Sequence, residues 1–313
     1  MISAKIIRSF VTLLISLTMI QTCSSNKPKN QYLKSPDGNI TVRFEISPAG
    51  KIFYRVAYRN KEIVQASRMG IVREDADFSE SLKLDSVSAS RPINFNYQMP
   101  QGKKSHYAYN GNEKRFYLTN HVNQKIDVVF RASNDGVAFR YIFPGQSDEP
   151  KTILREISEF HFSPRTKAFI QPMAVAKSGW CQTNPSYEEI YQQNVAIDKL
   201  PFNEPGWVFP ALFEDGDSWM LISETAPDRN YCGCRLQQDS TSHIFYIDFP
   251  SDLETFPGGV WLPTSTLPWS TPWRIITIGK GLKNIVESTL GTDLAEPARL
   301  KEIDYVKPGR SSW

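Results

Sequence analysis

Apolar and polar residues alternate along the first part of the chain. In the first alternating segment an apolar residue recurs at every second position: Ile40, Val42, Phe44 and Ile46. This period of two is typical of a β-strand with one buried face. The same alternation runs from Ile52 to Tyr58 after a Pro-Ala-Gly turn, and Asn60 and Lys61 end it. The pattern therefore predicts two hairpins in series.

The middle of the chain repeats this pattern. Alternating apolar residues before and after residues 134–136 predict two more strands: Ile126, Val128, Phe130, Val137, Phe139, Tyr141 and Phe143. The Asn-Asp-Gly sequence at 134–136 contains residues that tolerate positive φ, which predicts a tight reversal. Short apolar segments between Pro, Gly, Asp or Asn predict further strands at 168–170, 207–212, 219–222 and 244–249.

Helical spacing is confined to two short segments. Leu282, Ile285, Val286 and Leu290 have it, as does Ser186 to Gln193, where Ser186 is a candidate N-cap. Strands do not alternate with long helices, so the pattern gives no sign of a parallel sheet. The sequence predicts an all-β, antiparallel sandwich with short helices.

Composition agrees with a large β domain. The 313 residues suffice for one large domain or two medium ones, and 21 prolines, 13 tyrosines and 18 phenylalanines favour strands joined by loops. The formal net charge is +3, without a basic stripe interleaved with aromatic residues. Nucleic acid is therefore not an expected partner.

The N-terminus has the pattern of an export signal. Lys5 and Arg8 precede an apolar run from Phe10 to Ile20, which is too short to span a bilayer. Cys23 follows directly and resembles the lipidated cysteine of bacterial lipoproteins, although Gln21 is larger and more polar than such sites usually carry. The alternative is an ordinary cleaved signal. Both interpretations predict export, to the periplasm or to an outer-membrane anchor.

After export, Cys181, Cys232 and Cys234 would lie in an oxidising compartment. Cys232 and Cys234 are too close for an easy mutual disulfide, so Cys181 is a candidate partner for one of them. A zinc site would need more ligands than these thiols provide.

Catalytic motifs are absent from the sequence. Glu214, Asp215 and Asp217 flank an Asp-Gly pair, which is more typical of a hairpin turn than of a catalytic carboxylate pair. The four histidines are scattered, at His106, His121, His161 and His243. Neither a Gly-x-Ser-x-Gly motif nor a phosphate-binding loop is present.

Four segments together resemble the N-terminal region of glycoside hydrolase family 97, whose members include α-glucosidases and α-galactosidases. They are Ser-Pro-Asp-Gly-Asn at 35–39, Asp-Gly-Val-Ala-Phe-Arg-Tyr at 135–141, Pro-Trp-Arg at 272–274, and Ile-Asp-Tyr-Val-Lys-Pro-Gly at 303–309. The resemblance implies a β-super-sandwich of the galactose mutarotase-like type, packed on a catalytic (β/α)8 barrel.

The resemblance also implies domain boundaries. We expect a signal peptide at 1–23, a polar linker at 24–34, the super-sandwich at 35–280, and a linker at 281–313 leading into the barrel. A barrel needs about 250 residues. We therefore expect it to be absent from this chain, and the chain alone to be inactive.

The resemblance further suggests site residues. Family members hold Ca²⁺ near the active site, and Glu188, with Glu189 as the alternative, is the candidate ligand that the sandwich contributes. Because Ca²⁺ takes six or more oxygen ligands, we expect it to bind only with the barrel present. By the same resemblance Trp273 and Arg274 are candidates for the interface with the other domain. Independently of it, Trp180 is a candidate for contact with carbohydrate, because a tryptophan ring can stack on a pyranose face.

Three functions remain as hypotheses. The first is the non-catalytic N-terminal sandwich of an exported α-glycosidase, acting on α-linked oligosaccharide together with its barrel, in cis or as a split product. The second is a stand-alone carbohydrate-binding lipoprotein. The third is a mutarotase-like enzyme, which would need a His and a carboxylate facing a sugar hydroxyl.

Overall fold

A computed structural model describes residues 31–175, 189–239, 242–255, 258–300, 302 and 305–310. Several residues of the sequence predictions lie outside these ranges: Cys23, Trp180, Cys181 and Glu188. Among the described residues, no helix is both long enough and apolar enough to cross a bilayer.

Strands dominate the described residues. The first ten are β1 (Tyr32–Lys34), β2 (Ile40–Ile46), β3 (Ile52–Tyr58), β4 (Lys61–Met69), β5 (Ile71–Arg73), β6 (Ala76–Asp77), β7 (Lys83–Val87), β8 (Arg91–Gln98), β9 (His106–Thr119) and β10 (Lys125–Ser133). The next ten are β11 (Gly136–Glu156), β12 (Glu159–His161), β13 (Lys167–Ile170), β14 (Gln192–Ala196), β15 (Ala211–Asp215), β16 (Ser218–Thr225), β17 (Arg235–Gln238), β18 (Ile244–Asp248), β19 (Thr264–Ser270) and β20 (Trp273–Gly279). Two short helices follow, α1 (Leu282–Glu287) and α2 (Leu290–Asp293), and two 3-10 turns occupy Ile197–Lys199 and Asp252–Glu254.

The strands form three sheets. The largest has the path β14-β13-β15-β16-β20-β11-β10-β9-β7, with β5, β6, β8 and β19 attached to it. A second sheet has the order β1-β2-β3-β4, and a third has the order β12-β18-β17. All the strand pairs of the described residues are antiparallel.

The two smaller sheets lie side by side and cover one face of the large sheet. Phe44 of the second sheet stacks on Phe116 of the large sheet, with ring centroids 4.1 Å apart. Phe245 of the third sheet packs on Phe213 of the large sheet, with centroids 5.0 Å apart. The Tyr54 hydroxyl bridges the two smaller sheets by donating to the Glu159 carbonyl at 2.8 Å. This two-layer arrangement confirms the prediction of an all-β sandwich.

The alternating strands were predicted correctly because their buried positions repeat every two residues. The core positions of β2 and β3 are the alternating apolar residues of the sequence pattern, and they lie in the main hydrophobic cluster. The β10–β11 hairpin also forms at residues 134–135, with Ser133 paired to Gly136.

That hairpin needs its glycine for packing and not for backbone conformation. Gly136 is not among the residues with positive φ. A Cβ at Gly136 would lie 2.4 Å from the Ile276 carbonyl oxygen and 2.7 Å from Leu290 Cδ2. The neighbouring strand and helix α2 therefore exclude a side chain at this position.

The predicted helix from Ser186 to Gln193 is wrong in its described part. Residues 189–191 are irregular, and Gln192 and Gln193 belong to β14, the edge strand that pairs with β13. Pairing with a neighbouring strand satisfies the backbone of β14 there, which a local helical spacing cannot reveal.

Residues after β20 fold back onto the sandwich, although the sequence predicted a linker from 281. Leu290 and Leu294 are 1% and 3% exposed and pack on the outer face of the large sheet. At the other end, β1 begins at Tyr32, inside the predicted polar linker at 24–34.

Candidate functional site

Trp273 and Arg274 begin β20 and point to opposite faces of the large sheet. Arg274 lies on the same side of the strand as Ile276, which belongs to the main core between the layers. Trp273 belongs to a smaller apolar cluster on the outer face, together with Ile275. Both side chains are 1% exposed, so neither offers a free surface in this chain. Their role at a carbohydrate or domain contact stays a prediction.

Arg274 holds two carboxylates inside the sandwich. Its Nε and Nη2 donate to Glu156 Oε1 and Oε2 at 2.8 and 2.6 Å, and its Nη1 donates to Glu224 Oε2. This fork-like pairing is the geometry that guanidinium and carboxylate groups favour. Burial alone would raise the pKa of Glu156, but the Arg274 cation and the hydrogen bonds from Arg274, Tyr231 and Ser158 together outweigh burial and lower it. Glu156 is therefore ionised and paired at neutral pH.

Hydroxyl groups complete the surroundings of Glu156. Tyr231 Oη donates to Glu156 Oε2 at 2.6 Å, and Ser158 Oγ donates to Oε1 at 2.8 Å. The Glu156 side chain has no exposed surface. Two carboxylates that share one buried guanidinium cannot flank a sugar, so this network stabilises the fold and does not provide glycosidase chemistry.

The two described cysteines lie beside this network. Neither Cys232 nor Cys234 forms a disulfide within the described residues, and Cys181, the predicted disulfide partner of one of them, lies outside those residues. Burial raises the pKa of Cys234 well above its ordinary value, so its thiol is neutral at physiological pH. The disulfide stays a prediction.

Trp273 forms the floor of a charged region on the outer face. The Arg131 and Arg140 guanidinium carbons lie 4.8 and 4.4 Å from its ring centroid, which is the range of cation–π contacts. A cleft of about 200 Å³ opens here, lined by Phe95, Arg131, Arg140, Trp273, residues 293–294 and residues 295–297. We call it the arginine cleft.

A larger cavity adjoins the arginine cleft. It has a volume of about 750 Å³ and lies between the loop at 226–230 and the C-terminal segment at 295–299. Ala295, Glu296 and Pro297 line both cavities. Its volume is within the range of about 300–1,000 Å³ that is usual for small-molecule sites.

Of the two predicted calcium ligands, the structure describes only one. Glu188 lies outside the described residues, and Glu189 is exposed in the irregular segment before β14. Among the described residues, no three His, Cys, Asp or Glu side chains are grouped as metal ligands. These residues therefore do not fit a calcium site on their own, since Ca²⁺ takes about six to eight oxygens.

The acidic cluster at 214–217 is a structural turn, as the sequence predicted. Asp215 and Ser218 close the β15–β16 hairpin. Arg165 Nε donates to Asp215 Oδ1 at 2.6 Å, and Lys61 Nζ donates to the Asp215 carbonyl at 2.6 Å. Asp215 is 1% exposed and anchors two neighbouring segments to this turn.

One histidine lines a cavity together with a carboxylate, a combination that the sequence did not indicate. His243 and Asp198 line a cavity of about 160 Å³ with Gln238. The buried His243 Nδ1 and Gln238 Oε1 have no hydrogen-bond partner within the described part of the chain. Because 45 residues separate Asp198 from His243 in the sequence, local spacing could not pair them.

Comparisons with known proteins agree on one family. The model of the glycosyl-hydrolase 97 N-terminal family matches residues 33–297. A probable retaining alpha-galactosidase of Streptomyces bingchenggensis is 28% identical over 266 residues, which are 84% of this chain and 37% of that protein.

Solved structures show the same relationship. A crystal structure of a beta-arabinopyranosidase superposes with a TM-score of 0.81 at 35% identity, over 87% of this chain and 44% of that one. A glycoside hydrolase family 97 enzyme from Pseudoalteromonas sp. strain K8, in complex with panose, gives a TM-score of 0.74 at 26% identity, over 89% and 40%. The chain spans less than half the length of each of these relatives.

Proposed function

The chain belongs to the glycosyl-hydrolase 97 N-terminal family, and from this membership we propose that it is the non-catalytic N-terminal sandwich of an exported α-glycosidase. The observation that carries the proposal is the extent of the match, which runs from β1 to the residues after α2. The relatives extend well beyond the matched part.

Hydrolysis would then be performed by a (β/α)8 barrel outside these residues. Support comes from the carboxylates of the sandwich. Glu156 and Glu224 are held by Arg274, and Asp215 is held by Arg165 and Lys61. Cleavage of a glycosidic bond takes two carboxyl groups that face the sugar. The sandwich would instead pack on the barrel and shape the mouth of the active site for an α-linked oligosaccharide.

Joining the chain to a relative's remaining part tests this proposal. The purified chain, the part of the Streptomyces galactosidase beyond its matched residues, and a fusion of the two are compared on aryl α-galactoside, α-glucoside and β-arabinopyranoside. We expect turnover from the fusion and none from the chain. Equal turnover from the galactosidase part with and without the chain would contradict a role in shaping the site.

A calcium ligand is a separate part of the proposal. We propose that Glu188, or alternatively Glu189, contributes one oxygen to a Ca²⁺ site completed by the barrel. In the fusion, Glu188→Gln should raise the Ca²⁺ concentration needed for half-maximal activity, or Glu189→Gln should do so if Glu189 is the ligand. Glu149→Gln, at an 86% exposed glutamate outside this segment, serves as the control. An unchanged calcium requirement in both the Glu188 and the Glu189 variant would remove the assignment.

Export is proposed from the N-terminal sequence alone. The charged and apolar segments before Cys23 support a cleaved signal and a lipid anchor at that cysteine. Mass spectrometry of the mature N-terminus tests both steps. A mature chain that starts at an unmodified residue would contradict lipidation, and an intact Met1 would contradict export.

The cavity of about 750 Å³ favours a second candidate function, a stand-alone carbohydrate-binding protein. The Pseudoalteromonas relative was solved with panose. Calorimetric titration of the purified chain with panose separates the two functions. Saturable binding favours the second function, whereas binding that appears only in the fusion favours the first.

A further inference from the structure

Arg140 lines the arginine cleft with an incompletely paired guanidinium group. Its Nε is buried and has no hydrogen-bond partner among the described residues. Its ion pair with Glu296 is 3.8 Å long, and the Glu296 side chain is 71% exposed, so water screens the pair. A buried donor without an acceptor costs free energy. The cleft would therefore be stabilised by an anion that offers an acceptor to Arg140.

Arg131 is held in place beside the same cleft. Its Nε donates to Glu113 Oε2 at 2.8 Å, and Glu113 also pairs with Arg91. The guanidinium groups of Arg131 and Arg140 both pack on the Trp273 ring. Their N–H donors are therefore held in place before a ligand binds. Fixed, planar donors favour carboxylates, because two parallel hydrogen bonds can form without further loss of side-chain freedom.

An aromatic wall faces the two arginines. Phe95 is 38% exposed and lines the cleft, and its ring is supported by Tyr97 and Tyr109 at centroid distances of 6.2 and 5.1 Å. An exposed ring held in one orientation offers an apolar face to the C–H side of a sugar. The cleft thus combines carboxylate donors with a surface for a pyranose ring.

The carboxylates that line the cleft, Asp293 and Glu296, leave hydrogen-bond donors of the two arginines available to a ligand. Asp293 accepts hydrogen bonds from the Tyr97 and Thr289 hydroxyls, at 2.6 Å on Oδ1 and 2.8 Å on Oδ2. Glu296 is exposed enough to turn towards solvent. It is therefore a competitor that an incoming anion can displace.

We propose that the arginine cleft binds the carboxylate of an acidic sugar, with Arg140 and Arg131 as donors and Phe95 against the ring. The cleft of about 200 Å³ takes this one residue, and the adjoining cavity of about 750 Å³ accepts sugars linked to it. The proposal goes beyond the proposed function, which assigns no ligand to this face. It can fail while the non-catalytic role stands.

Titration of the purified chain at low salt tests the ligand class. Methyl glucuronide should bind saturably, and methyl glucoside and acetate should each bind at least about tenfold more weakly, because each lacks one of the two contacts. Equal binding of methyl glucoside would overturn the role of the carboxylate. Equal binding of acetate would overturn the role of the sugar ring, and absence of saturable glucuronide binding would overturn the whole proposal.

Three variants test the site. Arg140→Gln should weaken glucuronide binding by about tenfold to a hundredfold, the usual effect of losing a hydrogen bond to a charged group. Arg59→Gln, which changes an exposed arginine in the turn between β3 and β4, should leave binding unchanged. Glu296→Gln should strengthen binding, since it removes the competing anion without removing a donor. Thermal melts check the fold of each variant, and unchanged or weaker binding by Glu296→Gln contradicts the proposed geometry.

Discussion

At the scale of single residues, the interior of the sandwich contains a buried charge, Arg274, that depends on its partners. It is 1% exposed and joins Glu156, Glu224 and the Cys234 sulfur from three separate parts of the chain. A buried charge is stable only when its partners are in place. The Arg274 network therefore makes the packing of β11, β16 and β20 interdependent.

Replacement of Arg274 by methionine tests this dependence. The change leaves Glu156 as an uncompensated buried charge, and we expect a loss of about 3–5 kcal/mol in the free energy of unfolding. Urea denaturation at pH 7 measures it. Glu149→Gln is the matched control, because the Glu149 side chain is 86% exposed and should change stability by less than about 0.5 kcal/mol.

The lowered pKa of Glu156 predicts a pH dependence with a definite sign. A depressed folded pKa stabilises the protein above the unfolded pKa, which lies near the ordinary value of 4.5. That contribution is lost as the pH falls through the folded value. The stability difference between the wild type and Glu156→Gln should therefore shrink below about pH 4.5. A difference that grows with acidification would contradict the pairing.

The sequence identified Arg274 but not its partners. Trp273 and Arg274 stood out only through their likeness to a family motif. Glu156 lies 118 residues away and has no local signal that distinguishes it from an exposed glutamate. Buried ion pairs join distant strands, so their partners depend on sheet order, which hydrophobic alternation does not specify.

At the scale of elements, the sequence predicts the strands that bury one face. It does not predict the polar edge strand β14 or the packing of the C-terminal helices. Residues 40–46 and 52–58 alternate clearly and form β2 and β3 as expected. β14 is polar and lies at the sheet edge, so its sequence carries no alternation, and its first two residues, Gln192 and Gln193, fall within the predicted helix. The predicted linker from 281 rests on the family resemblance, whereas the helical spacing of Leu282, Ile285, Val286 and Leu290 agrees with α1 and the start of α2.

Gly136→Ala tests the close approach between β11, β20 and α2. The added methyl group would meet the Ile276 backbone and Leu290, so we expect a loss of about 1–3 kcal/mol in the free energy of unfolding. Gly145→Ala in the same strand is the control, because its Cβ would meet only a side-chain atom at 3.4 Å. Similar stability of the two variants in urea denaturation would contradict this packing.

The C-terminal helices should contribute to stability as an integral part of the sandwich. Leu290→Ala removes a side chain that is 1% exposed, and we expect a cost of about 2–5 kcal/mol. Leu282→Ala changes a leucine that is 49% exposed in the neighbouring helix and should cost far less. Thermal melts compare the two. Equal, small effects would show that residues 282–294 are only a linker.

At the scale of the whole molecule, the large sheet separates two environments. Its inner face meets the two smaller sheets in an apolar core, whereas its outer face carries the arginine cleft and the C-terminal segment. The inner face explains stability. The outer face has the arginine cleft, the adjoining cavity of about 750 Å³ and exposed charge, so we expect the proposed ligand binding there.

The most direct test of the non-catalytic role is hydrolysis by the purified chain itself. Aryl α-galactoside, α-glucoside and β-arabinopyranoside are incubated with the full chain, with and without Ca²⁺, and released phenol is followed. We expect no turnover above the background of a denatured sample. Turnover that co-purifies with the folded chain would contradict the account, because it would require a catalytic carboxylate pair within the sandwich.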